Sequence, residues 1–298
     1  MTTQPESTDV RQIELRLAEL GEGFNVARAL PTKMQRLVGP WCFLDHLGPA
    51  DLGNGKGLHI SAHPHTCLQT FTWMMQGEIL HRDSLGYEQV LRSGQVNLMT
   101  AGHGIAHTED SVGDAGCLHT AQLWIALPTQ YQDIAPAFEH HADLPTWAQG
   151  ETILTLLAGE FAGQRAAARV YSEMVALDLV SSAGDDITLD LRADFEYAIL
   201  PTQGKVGLEG QAIGKTRFAY MSPGRSHVTL SLSPGGRCLL VGGKPFESEV
   251  HLWWNFVASS REYITQAFMD WQAGSERFGA VAGGSRRLDA PAPPWLTM

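Results

Sequence analysis

Two pairs of residues, His63 with His65 and His107 with Glu109, define the chemistry this sequence could perform. Ala62-His63-Pro64-His65 sets two imidazoles two residues apart, and on an extended strand residues i and i+2 share a face and can ligate one ion. The stretch Gly104-Ile-Ala-His107-Thr108-Glu109 repeats that spacing with an imidazole and a carboxylate. On facing strands, His63, His65, His107 and Glu109 would converge as three neutral nitrogens and one oxygen, a set suited to iron, manganese, nickel, copper or zinc. A lone histidine would carry little weight. The repeated spacing carries the argument.

The elements that must position these residues read as strands. The chain has 31 glycines and 15 prolines, and the segments between them alternate with period two, as in Leu68-Gln-Thr-Phe-Thr-Trp-Met-Met75 and His227-Val-Thr-Leu-Ser-Leu232. Many short strands at regular spacing indicate an all-β sandwich or barrel. They fall into two groups, about residues 40–130 and 150–243, separated by the polar stretch from Pro128 to Gly150. Two similar β units are expected. One helix follows, with a capping box at Ser259-Ser-Arg-Glu262, an apolar stripe of Ile264, Ala267, Phe268 and Trp271, and a stop at Gly274. The tail 275–298 and residues 1–10 read as extended or partly disordered.

Composition narrows the function classes. The 298 residues suggest two domains at roughly 150 residues each. A formal net charge of -11 has the wrong sign for phosphate backbones, so direct nucleic-acid binding is disfavoured. Cys42, Cys67, Cys117 and Cys238 form no Cys-x-x-Cys pair, which points to neither a disulfide framework nor a thiolate zinc site. The opening residues lack the basic and then apolar pattern of a secretory signal, and no run of about 18 apolar residues occurs. A cytoplasmic protein away from membranes is expected.

The order of motifs is specific. Gly39-Pro-Trp-Cys-Phe-Leu-Asp-His-Leu-Gly-Pro49, His63-Pro-His65, Gly77-Glu-Ile-Leu-His-Arg-Asp-Ser-Leu-Gly86 and Met99-Thr-Ala-Gly-His-Gly-Ile-Ala-His-Thr-Glu109 together resemble the pirin family of the cupin superfamily. The resemblance implies two cupin-type jelly-roll barrels. It places a metal-binding barrel in 1–145, a metal-free barrel with a closing C-terminal helix in 146–274, and an extended tail in 275–298. It also implies one mononuclear metal, usually iron as Fe(II), on His63, His65, His107 and Glu109, the four residues that spacing selects. The second group agrees, since residues 151–243 hold one histidine, His227.

Two activities follow from the resemblance. One is an iron-dependent dioxygenase acting on a flavonol of quercetin type, with dioxygen as co-substrate and Glu109 as a catalytic residue. The alternative is a redox-sensing regulator that binds a protein partner. Gln69 stands where many cupins have glutamate; by odd-numbered parity with His63 and His65 it should share their face, as should Phe71, Trp73 and Met75, lining the pocket or the barrel core. His103 and His59 read as pocket-mouth or surface residues, Cys67 as a buried neighbour, and Asp45 and His46 as structural or supporting residues.

Overall fold

Alternating, β-branched segments punctuated by glycine fold as antiparallel strands throughout this chain. The computed structural model describes residues 10–20, 24–52, 57–113, 116–283 and 286–296. The expectation for residues 1–9 lies outside the described residues. The chain divides into two units, one formed by 18–26, 45–142 and 247–298, the other by 1–17, 27–44 and 143–246. Each is a cupin-type β unit.

In the histidine-bearing unit, a four-stranded sheet runs in the order His59–His65, Ile105–Ser111, Glu78–Asp83, Glu88–Arg92. A larger sheet carries Ala137–His141, Val96–Thr100, Leu68–Gln76 and Cys117–Ala126 in sequence. Its apolar core includes Phe24, Val26, Leu58, Met74, Leu91 and Leu118. The other unit repeats this order. Its smaller sheet runs Asp185–Asp190, His227–Leu232, Val206–Leu208, Gln211–Ala212, and its larger one runs Val10–Glu14, Arg217–Met221, Glu196–Gln203, Gly236–Gly243, Met174–Ser181, Thr152–Phe161, Thr146–Gln149. A strand from before the first barrel thus completes the second one, beside Arg217–Met221.

The stretch from Pro128 to Gly150 is itself structured. Ala137–His141 pairs with Val96–Thr100, whereas Thr146–Gln149 pairs with Thr152–Phe161. Its polar composition hides these edge strands, because an edge strand buries little of its surface.

The helix spans Arg261–Gln272, with Ser260 rather than Ser259 as N-cap, accepting from the Tyr263 N–H. Ser259 donates instead to Gln132. Ile264, Ala267 and Trp271 are buried, and their cluster includes Cys67, Ala106, Phe256 and Phe278. The helix therefore belongs to the histidine-bearing unit, where the sequence reading gave it to the second barrel. Adjacency in sequence does not decide which sheet an apolar stripe covers.

The tail also departs from expectation. Its glycines, alanines and prolines read as extended chain, yet it forms short 3-10 turns at Glu276–Phe278 and Pro294–Leu296. The Leu288 N–H donates to the Ala62 carbonyl, and the Trp271 and Trp253 indole N–H groups donate to the carbonyls of Leu288 and Pro291, which holds it in place.

Candidate metal centre

Antiparallel pairing brings the two motifs together. His107 lies directly opposite His63, and Ile105 opposite His65. The ligand atoms of His63, His65 and His107 all lie within 4.8 Å of one another, and all three side chains are buried. The Nε2 atoms of His65 and His107 are 3.1 Å apart. Among the described residues, no other group of three such side chains lies this close.

Glu109 is not one of the three residues whose ligand atoms lie within 4.8 Å of one another. The ladder to His59–His65 shifts between His107 and Glu109, which falls opposite Ile60, with the extra residue on the His59–His65 strand; on its other side Glu109 keeps regular register, opposite His81. The carboxylate is nonetheless buried. Its Oε1 lies 3.5 Å from the Thr72 hydroxyl, which donates to Gln122 Oε1 at 2.8 Å.

Electrostatics suit neutral ligands. Burial pulls the His63 imidazole down to about 4, with the Ser61 carbonyl opposing and His81 assisting. Burial likewise holds His65 and His107 well below the usual histidine range, reinforced by neighbouring imidazoles. The same desolvation raises Glu109, against the pull of His81 and the Thr72 hydroxyl. Three bare imidazoles beside a carboxyl that readily holds a proton is a donor set that fits a divalent transition metal.

Two of the three rings are held from outside. The Nδ1 of His63 meets the Ser61 carbonyl at 2.9 Å, and that of His65 meets the Asn255 carbonyl at 3.1 Å. Asn255 sits in the two-residue turn between His251–Trp253 and Phe256–Ala258. Its neighbour Trp254 takes a φ of 53°, strained for so bulky a residue. The indole of Trp124 packs edge-on against His65, with ring centres 5.0 Å apart.

The other expected residues fall elsewhere. The Thr72 hydroxyl points toward Glu109, so alternation puts Gln69, Phe71, Trp73 and Met75 on the opposite face of their strand. All four are buried. Parity does not carry across Thr66-Cys67 because Cys67 adopts a φ of 55°, which resets the phase of the alternation. Gln69 donates to Thr100 Oγ1 at 2.9 Å. His103 sits in a turn whose backbone N–H and Nδ1 reach the Ile134 carbonyl. His59 is an exposed partner of Asp110. Cys67 is buried, with its thiol pushed up to about 12 by desolvation.

Sequence reasoning passed over several participants. His81 and Asp83 show the same i, i+2 spacing that selected the ligands, and that signal was available. Thr72 and the Asn255 carbonyl carry no sequence signal. His46 and His119 place their Nε2 atoms 2.8 Å apart across 73 positions, a buried pairing that only the fold creates.

Two jelly-roll barrels, one with a buried three-histidine cluster, define a bicupin. A model of the pirin family matches residues 23–125, and one of the pirin C-terminal cupin domain matches residues 176–279. A Pseudomonas aeruginosa protein with the provisional name quercetin 2,3-dioxygenase is 50% identical over 287 residues, 96% of this chain and 91% of the relative. A pirin-like protein of Caulobacter vibrioides is 38% identical over 270 residues, 88% of this chain and 92% of its own. The crystal structure of quercetin 2,3-dioxygenase from Acinetobacter baumannii matches with a TM-score of 0.94 and 38% identity, over 98% of each chain. The chain belongs to the pirin family. No described helix is long and apolar enough to cross a membrane.

Proposed function

We propose that this chain is a metal-dependent dioxygenase that cleaves a flavonol of quercetin type, with Fe(II) held by His63, His65 and His107. The observation that carries the reading is the convergence of three buried imidazoles beside a buried carboxyl. The names of the relatives support the substrate class. When bound, a redox-capable ion supplies the chemistry that brings an electron-rich enol to react with dioxygen.

The chain's own groups do the rest. His63 and His65 are oriented by the carbonyls of Ser61 and Asn255. The helix and tail cluster around Phe256 and Phe278 keeps water from the side of Cys67 and Ala106. In this reading Glu109 takes the proton of the flavonol hydroxyl on its carboxylate, a role favoured by desolvation because a raised pKa makes a stronger base.

Aerobic turnover of quercetin by the Fe(II)-loaded protein tests the proposal. His63→Ala should abolish both metal content and turnover. Glu109→Gln should retain metal and lose turnover by about 100-fold or more, the scale of a general base. No turnover with iron, manganese, nickel, copper or zinc would contradict the proposal.

A further inference from the structure

A ligating imidazole must offer one bare nitrogen, so its other nitrogen has to carry the hydrogen, and the partner of that second nitrogen decides whether it does. For His63 and His65 the partners are the Ser61 and Asn255 carbonyls, which only accept. Both rings therefore hold hydrogen on Nδ1 and leave Nε2 bare. His107 is different. Its Nδ1 meets the Nδ1 of His81 at 3.4 Å, and either nitrogen could be the donor.

The ambiguity is settled one residue further out. His81 Nε2 lies 3.1 Å from Oδ2 of Asp83, which is buried and whose Oδ1 accepts the backbone N–H groups of Leu85 at 2.9 Å and Tyr87 at 3.1 Å. Those two donors fix the orientation of the carboxylate. An acceptor-only carboxylate keeps the hydrogen of His81 on Nε2, which leaves its Nδ1 bare to accept from His107. His107 then holds hydrogen on Nδ1 and turns a bare Nε2 toward that of His65, 3.1 Å away. A cation relieves the repulsion between two lone pairs so placed.

We propose that Asp83 and His81 form a positioning pair that sets the tautomer of His107 and so makes it a metal ligand. The strand register supports the chain of contacts: His107 lies opposite Asp83 and Glu109 opposite His81. Phe138, stacked on His81 with ring centres 4.4 Å apart and planes 14° from parallel, holds the ring in place. Of the three ligands, His107 is braced by a side-chain relay ending in a carboxylate, and His63 and His65 by neutral carbonyls. The inference rests on the metal site proposed above but on no particular substrate.

Two measurements test it. In protein labelled with ¹⁵N-histidine, long-range ¹H–¹⁵N spectra should show His107 protonated on Nδ1 and His81 on Nε2, both without metal and with Zn(II). Hydrogen on His107 Nε2, or on both nitrogens of His81, overturns the proposal. In Asp83→Asn the backbone donors of Leu85 and Tyr87 keep the amide oxygen, so the NH₂ faces His81 and reverses both tautomers. Zn(II) affinity should then fall by about 10- to 100-fold, the usual scale for a group supporting a ligand.

His81→Leu should show a similar loss, whereas His81→Gln, whose amide oxygen can accept from His107, should recover most of the affinity. In that His81→Gln background, adding Asp83→Asn should cost little. Should Asp83→Asn fail to fold, the wild-type spectra still decide. Wild-type protein that takes no Zn(II) would remove the metal-site reading itself. Tight binding left unchanged by both Asp83→Asn and His81→Leu would remove only the relay.

Discussion

The two barrels use one strand order for different interiors. Where the histidine-bearing barrel pairs His63 with His107, the corresponding ladder of the other barrel pairs Leu189 with Val228 and Ile187 with Leu230, all buried. Leucine, isoleucine and valine fill these positions without a polar atom to satisfy. The frame therefore does not need imidazoles, and burying three of them works against folding, since each must stay neutral or lose its hydration. Residues retained against that cost point to a ligand rather than to the core.

Substitutions that exchange the two characters sharpen the contrast. The largest expected loss of stability lies in the aliphatic barrel: Leu189→Ala or Leu230→Ala should cost about 2–5 kcal/mol by cavity formation while leaving metal content unchanged, as read by urea denaturation and elemental analysis. The double variant His63→Leu, His107→Leu should leave the metal-free protein at least as stable as wild type near neutral pH.

A pH series separates the barrels further. With the folded pKa of His63 lowered from 6.5 to about 4, the unfolded chain binds protons that the folded chain refuses. Stability of the metal-free protein is thus fully present above about 6.5 and declines as pH falls toward 4, with His65 and His107 extending the decline. The leucine double variant should show a shallower slope over that window, and an unchanged slope would argue against buried neutral imidazoles. The smallest effect is expected from Thr72→Val, which removes the hydroxyl bonded to Gln122 and facing Glu109. It should cost about 1 kcal/mol, again measured by urea denaturation.

The contrast also explains what could be read from the residues alone. His63, His65 and His107 were picked out by spacing because a strand keeps its period, two β units followed from the grouping of the strands, and the cupin-type barrels followed from the family resemblance. What failed were the places where the period breaks. Cys67, at a φ of 55°, separates the ligand strand from the next and sends Phe71 and Trp73 to the wrong face of the expected pocket. The irregularity in the ladder opposite His107 and Glu109 lies at Ser61 and Ala62, on the His59–His65 strand, where a period-two reading does not foresee it. The helix and tail cluster with Phe256, next to the Asn255 carbonyl that His65 meets, through contacts that no local pattern encodes.

The central claim is that the histidine-bearing barrel holds one transition metal through His63, His65 and His107. Elemental analysis of freshly purified wild-type protein beside the His63→Leu, His107→Leu variant tests it most directly. The account predicts about one equivalent of metal in the wild type, as expected for a single mononuclear site, and background levels in the variant. Equal metal in both, or none in a wild type offered iron, nickel or zinc, would contradict it.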